Sequence, residues 1–390
     1  MDQVKTAKQA FFELVRAAIN EKYANDKSFS YITVDYLQAI YSLSKSHDVV
    51  NIVASVLEKY NLLGDDEWSQ KYQKQLMTSV YRYKRIDYEI KQICSVLEST
   101  CVPFLPLKGA LIRQFYPEPW MRTSCDIDVL IHSCDDDVAI QALCSAGYNL
   151  QPKMTNHDYP LLSPSGVKLE LHYTLMNKGD DRVRNMLDAV WQECSPEVAG
   201  GYRYKMSNEM FMFYHVVHMA NHFVYGGCGI RPFIDLWLLK EKMPVDQQKL
   251  DEMFERTGLT AFYNASLSLS EVWLGESEHD GMTSNMENFI LSGGVYGSVS
   301  NSAAVKSAKG QSKLRTILKL VFIPRADLEI IYPRLKKYPV LYPFYQVKRW
   351  FKVFNRDKRR RVATVAAARN AVSQEESNNV KMFLDELQLL

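Results

Sequence analysis

No run of 18 apolar residues occurs in this 390-residue sequence, so an α-helical membrane span is not expected. Neither sign of charge is in excess. Lys plus Arg number 47 and Asp plus Glu 45, leaving a formal net charge of +2 and no whole-molecule preference for an acidic or basic partner. The seven cysteines (Cys94, Cys101, Cys125, Cys134, Cys144, Cys194 and Cys228) contain no C-x-x-C pair and no metal-ligand spacing. Their odd number in a long chain excludes a disulfide scaffold and fits reduced thiols in a cytoplasmic protein. The opening Met1–Lys5 is charged early and lacks an apolar signal core, so no secretory leader is expected. What is abundant is apolar and aromatic: 47% hydrophobic residues, with 23 Tyr, 17 Phe and 6 Trp. That argues against disorder and for a large core, and the length suggests two or three domains.

Residues 1–100 read as a helical region. Ala10, Phe11, Leu14, Val15 and Ala18 share one face of a helix over 7–19. The same spacing recurs over 34–43 and 49–63, the latter closed by Gly64 as a C-cap, and along a charged helix over 67–98. No chemistry is apparent there.

At Cys101 the pattern changes. Val102–Leu107 is a buried strand running into the turn Lys108-Gly109, and a short helix begins at Ala110. A glycine between strand and helix lets backbone N–H groups approach a phosphate, although on the local sequence alone an ordinary left-handed turn is the simpler account of Gly109. Arg122 follows, and then a strand with Asp126 and Asp128 one apart. Alternation puts both carboxylates on one face of that strand and Ile127 and Val129 on the other. Close like charges repel unless a cation lies between them, and hard oxygen ligands suit Mg2+ or Mn2+. A helix is expected over 135–146 and an irregular polar stretch over 148–166. Val167–Tyr173 then alternates as a strand, with Lys168, Glu170 and His172 on its polar face. Glu170 is a third carboxylate about forty residues after the pair.

This order of strand, glycine turn, helix, Asp-x-Asp strand, helix and acid-bearing strand resembles the catalytic core of the polymerase-β-like nucleotidyltransferase superfamily. More narrowly, Leu107-Lys108-Gly109, Arg122, Asp126-Ile127-Asp128 and Leu169-Glu170-Leu171-His172 resemble a bacterial family called uncharacterised nucleotidyltransferase. The resemblance extends to the His-rich helix His215–His222, to Arg231 and Asp235, to the Gly-rich segment Ser292–Gly297 and to the basic stretch opening Leu335-Lys336-Lys337. It implies an α+β fold: a small mixed sheet, over 101–180, flanked by N-terminal (1–100) and C-terminal (181–390) helical regions. It also implies two-metal nucleotidyl transfer. Asp126, Asp128 and Glu170 would be catalytic and would hold Mg2+ or Mn2+. Lys108, Gly109, Arg122 and His172 would bind the nucleotide. Where the superfamily places Gly-Ser or Gly-Gly in the first turn, this chain has Gly109-Ala110, and a phosphate-contacting hydroxyl is missing.

Beyond the core, Ser207 is the expected N-cap of an apolar helix on which His215, His218 and His222 fall on one face. Three readings stay open for these histidines: a zinc site, a packed structural cluster, or a wall facing the substrate. Arg231 and Asp235 are four apart and suited to pair on a helix, unless Asp235 orients a histidine. Residues 276–313, rich in Ser, Gly and Asn, read as a long mobile loop, with phosphate contact by Gly293-Gly294 the lesser option. Residues 334–361 carry eleven basic side chains against Asp357 alone, so the segment is +10 and the remainder of the chain is −8. Interleaved aromatics suit an RNA or an anionic membrane surface, and a packed helix with a solvated basic face accounts for them as well.

The expected function is transfer of NMP from an NTP such as ATP to an unknown hydroxyl acceptor (small molecule, sugar, protein or RNA). The alternative is a non-catalytic nucleotide- or nucleic-acid-binding protein on the same core, which Ala110 favours.

Overall fold

The computed structural model describes residues 6–20, 29, 31–152, 157–176, 179–295, 297–310, 322–353 and 356–389, excepting the side chains of 326, 351–353, 356–362 and 366. Four helices open the chain: α1 (Ala7–Ile19), α2 (Val34–Ser46), α3 (Val50–Lys59) and α4 (Glu67–Ser99). A capping box between Thr6 and Gln9 starts α1, and the Asp66 carboxylate caps α4 by accepting from the amides of Trp68 and Ser69.

The α+β expectation holds. A five-stranded mixed sheet runs in the order β1 (Phe104–Pro106), β2 (Asp126–Ile131), β5 (Lys168–His172), β4 (Asp158–Leu162), β3 (Asn149–Leu150). Strands β2 and β5 are parallel, and the other pairings are antiparallel. A short helix α5 (Gly109–Ile112) follows β1, and α6 (Asp136–Ser145) follows β2. The described residues of 148–166 are therefore not irregular throughout. They supply β3 and β4, which Pro160 inside β4 disguises in the sequence.

Alternation gives the sheet two unlike faces. Ile127, Val129, Ile131, Leu169 and Leu171 pack with Ile86, Ile93 and Leu97 of α4 and with Ala139 and Leu143 of α6. The opposite face carries the charged residues, and its apolar members Leu105, Leu107 and Leu130 join a second, larger core. That core collects α1–α3 together with α8 (Asn208–Val224), α9 (Arg231–Lys242), α10 (Gln247–Thr257), α11 (Thr260–Leu274) and α12 (Gly281–Leu291). Between β5 and α8 come α7 (Asp181–Asp188) and a hairpin of β6 (Cys194–Pro196) and β7 (Tyr204–Met206). N- and C-terminal helices interlock directly: Arg16 donates to the carbonyls of Val272 and Trp273, and Phe12 stacks on Trp273 at 5.0 Å.

The expected long loop at 276–313 is corrected. It holds α12 and α13 (Val299–Ala308). Two of its polar residues are helix caps: Asp280 forms a capping box with Thr283, and Ser298 caps α13. Gly293, Gly294 and Gly297 sit at close backbone approaches. The Val295 amide donates to the Ser46 carbonyl at 3.0 Å and the Gly229 amide to the Val295 carbonyl at 3.2 Å. At Gly297, φ is +71° and a Cβ would lie 2.1 Å from the Gly226 carbonyl oxygen, so only glycine fits. A Cβ on Gly294 would meet the Ser46 carbonyl at 2.8 Å.

The basic segment forms helices Arg334–Lys337, Tyr342–Val353 and Arg356–Ala371. Leu335 and Tyr345 bury with Leu328 in a small separate cluster, while Arg334, Lys336, Lys337 and Lys348 are exposed. All seven cysteines are free thiols. Among the described residues, no helix is long and apolar enough to cross a membrane.

His47, in the turn after α2, is 0% exposed, and neither ring nitrogen has a hydrogen-bond partner. Burial pushes its pKa down to about 4. The unfolded chain binds this proton near the ordinary value and the folded chain only near 4, so folding loses stability as pH falls through that window. At pH 5 the loss is roughly 2 kcal/mol. Urea melts of His47→Leu should therefore show a pH 7-to-pH 5 drop smaller than wild type by about that amount. An unchanged drop would refute the assignment.

Candidate active site

The site begins at the turn after β1. The Leu107 amide donates to the Asp128 carbonyl at 2.9 Å, which ties the turn to β2. Lys108 then adopts φ +35° and ψ −102°, a region that favours glycine, while its carbonyl accepts from the amides of Leu111 and Ile112. A lysine held there stores backbone strain of about 1–3 kcal/mol, the pattern of residues kept for function. The turn aims the Lys108 ammonium at the Tyr214 ring of α8, 5.3 Å from its centre. Burial opposes the Lys108 charge, but Tyr214 and Asp128 outweigh it and raise the pKa above its ordinary value.

Gly109 is needed for a neighbour. A Cβ there would lie 2.8 Å from Arg122 Nη1. Such a long side chain would normally move aside. Arg122 has no freedom to do so, because the buried Asp235 carboxylate accepts from its Nε at 3.2 Å and from its Nη2 at 2.8 Å. Gly109→Ala is expected to cost about 1–3 kcal/mol through this overpacking. In Arg122→Ala the same substitution should be close to neutral, which a double-mutant cycle by urea denaturation checks.

On the sheet, pairing sets the acids in rows. Asp126 lies opposite Lys168, Asp128 opposite Glu170, and Leu130 opposite His172. Asp128 Oδ1 is 3.0 Å from His172 Nε2, and Glu170 Oε2 is 3.7 Å from the same nitrogen. One ligand atom from each of Asp128, Glu170 and His172 lies within 4.8 Å of the others. At the outer end, Lys168 donates to Glu170. Exposure falls along the row, from 51% for the Lys168 side chain to 8% for His172.

The two aspartates differ electrostatically. Burial, and then the charges of Asp128 and Glu170, raise the Asp126 carboxyl above the usual range. Burial works the same way on Asp128, but Lys108, the His172 hydrogen bond and Arg122 overcome it and hold Asp128 well below that range. Asp128 therefore has its counter-charges in place, whereas Lys168 and Lys108 offset only part of the burial and like charge at Asp126. A cation at this face removes that deficit, and the residues present fit one.

Helices α8 and α9 form the opposite wall. His218 and His222 approach at 3.0 Å between Nε2 atoms, while His215 turns away to the Pro232 carbonyl at 2.9 Å. The three histidines thus do not act as one cluster. Burial, followed by the Lys108 charge, lowers the pKa of both His218 and His222, so this pair is neutral. Arg231 and Asp235 do not pair with each other. Arg231 Nη1 donates to Asp48 Oδ2 at 2.7 Å and to Thr123 Oγ at 2.9 Å. Asp235 accepts from Arg122 and, at 2.7 Å, from Tyr116. Arg122 and Arg231 therefore brace the chain entering β2 from both sides.

Three neighbours escape a reading of the sequence: Tyr214 as described, Asp158 at the start of β4, and His157 just before it. Asp158 lies opposite His172 in register, and the His157 ring stacks on His172 at 5.6 Å. The one local signal for β4 was the apolar run Tyr159, Leu161 and Leu162 around Pro160. A cleft of about 380 Å³, lined by His157, Asp158, Pro160, Lys168 and Glu170 among others, opens beside the acids. A larger cavity of about 670 Å³ near Arg182, Lys249 and Arg256 contains none of them.

Two carboxylates and an imidazole around one point, with a buried lysine behind them, suit a divalent cation beside a phosphate-bearing ligand. The chain belongs to the uncharacterised nucleotidyltransferase family, whose model matches residues 36–275. No curated protein and no solved structure matches it.

Proposed function

We propose that this protein transfers an NMP group from an NTP to a hydroxyl acceptor, using Mg2+ or Mn2+, in the manner of the polymerase-β-like superfamily. The observation that carries the reading is the parallel register of β2 and β5, which sets Asp128 opposite Glu170 beneath the Lys108 turn. With Asp126 as the outer carboxylate of the same face, Asp128 and Glu170 would hold the metal. When bound, it would neutralise the triphosphate and make the acceptor hydroxyl more acidic. Lys108 contributes a fixed positive charge for the phosphates, and it compensates for the hydroxyl missing at Ala110. Lys168 would give up Glu170 for a phosphate oxygen as the nucleotide enters, freeing Glu170 beside the acceptor. Arg122, already clamped by Asp235, shapes the Gly109 turn and adds positive potential without direct contact. The neutral His218–His222 pair offers hydrogen bonds to nucleotide or acceptor. Exposed Arg334, Lys336, Lys337 and Lys348 would favour a polyanionic acceptor such as RNA, or an anionic membrane surface. Free cysteines suit a reducing, cytoplasmic setting.

A thermal-shift panel of the four NTPs with Mg2+ or Mn2+, followed by transfer of α-phosphate label onto cell-extract fractions, tests the reading. Metal-dependent NTP stabilisation and labelled product are expected. No stabilisation with any pair sinks it. Stabilisation without labelled product favours the second reading, a binding protein on the same core, for which Ala110 is the specific observation.

A further inference from the structure

We propose that His172 is a direct metal ligand, so that the site selects Mn2+ over Mg2+. This rests on the metal dependence proposed above and deepens it. Three carboxylates would make an all-oxygen site, the donor set Mg2+ prefers. The geometry groups a different three. His172 Nε2 lies 3.0 Å from Asp128 Oδ1 and 3.7 Å from Glu170 Oε2, whereas Asp126 stands outside this cluster, one row further out opposite Lys168.

The imidazole is a built part of the site. Its side chain is 8% exposed, at the floor of the row. The His157 ring stacks on it with planes 20° apart, which fixes its orientation. Strand β5 places its Cβ on the same face as that of Glu170, two residues away. A proton on Nε2 lets His172 donate to Asp128; with the proton on Nδ1 instead, the Nε2 lone pair is available to a cation held beside the two carboxylates. Imidazole nitrogen suits first-row transition ions, whereas Mg2+ takes oxygen and gives up its waters reluctantly. Asp128, Glu170 and His172 thus make a two-carboxylate, one-imidazole set on rigid strands.

Electron spin-echo modulation of the full chain loaded with Mn2+ reads the ligands directly. A nitrogen coupling from coordinated imidazole is expected in the wild type and in His218→Gln, and its loss is expected in His172→Gln. By titration calorimetry, the wild type should bind Mn2+ about tenfold or more tighter than Mg2+, and His172→Gln should narrow that ratio. The wild-type coupling needs no variant, so misfolding of His172→Gln would leave the test intact. Bound Mn2+ without nitrogen coupling, or coupling that persists in folded His172→Gln, overturns the inference and leaves nucleotidyl transfer standing. No Mn2+ binding, with or without a non-hydrolysable NTP, overturns both.

Discussion

Asp128→Asn is expected to lower metal-dependent nucleotidyl transfer by about 10³-fold or more while leaving the fold intact. Asp128 lies opposite Glu170 and against His172, and Lys108 and Arg122 hold it ionised. Its charge is thus supported from several sides at the point where a cation would sit. Asparagine keeps the shape, and its carbonyl oxygen can still accept from His172. What it removes is one negative charge and one strong ligand. The effect should exceed that of Asp126→Asn, because Asp126 stands a row further out and already carries a raised pKa. Label transfer and Mn2+ titration on both variants check the order. Full Mn2+-dependent NTP stabilisation in Asp128→Asn would remove Asp128 from the centre of the site.

Asp235→Ala should be the most destabilising single change at the site, by about 3–5 kcal/mol in urea denaturation. Asp235 is 1% exposed and accepts from Arg122 and from Tyr116. Removing it strands a guanidinium whose side chain is 10% exposed, and a buried phenol. Arg122 also touches the space beside Gly109, so the turn carrying Lys108 should loosen and transfer should fall as well. The double change Arg122→Met/Asp235→Leu should recover most of the stability, because buried pairs are commonly replaced by apolar residues at little cost. It should not recover transfer if Arg122 positions the turn. Equal loss of stability in the single and double variants would show that the ion pair is not what holds this region.

Much of the helical scaffold can be read from spacing. Thr6, Asp66 and Ser207 mark helix starts by their side chains, and α1 spans the residues that its apolar stripe outlines. Alternation in β2 and β5 likewise assigns Asp126, Asp128, Glu170 and His172 to polar faces. Alternation does not give register. Whether Glu170 meets Asp126 or Asp128 is decided by pairing across forty residues, and no local pattern records it. The same holds for Arg122 with Asp235 and Arg231 with Asp48, ion pairs that join residues more than a hundred positions apart. Strand β4 was hidden for a local reason, the proline at position 160. The stretch 276–313 misled because cap residues and crossing glycines have a loop's composition.

Helix α4 belongs to two cores at once. Tyr72, near its start, is buried among the helices and donates to the Leu37 carbonyl, while Ile86, Ile93 and Leu97 cover the apolar face of the sheet. At about 1.5 Å per residue, its 33 residues make a strut of roughly 50 Å. A fragment cut at residue 100 would therefore lose the lid of its sheet and expose Ile127, Val129, Leu169 and Leu171 as a sticky surface. Anyone isolating the acidic strands for biochemistry should begin the polypeptide at Asp66, where the helix is capped, and not at the change of texture near Cys101.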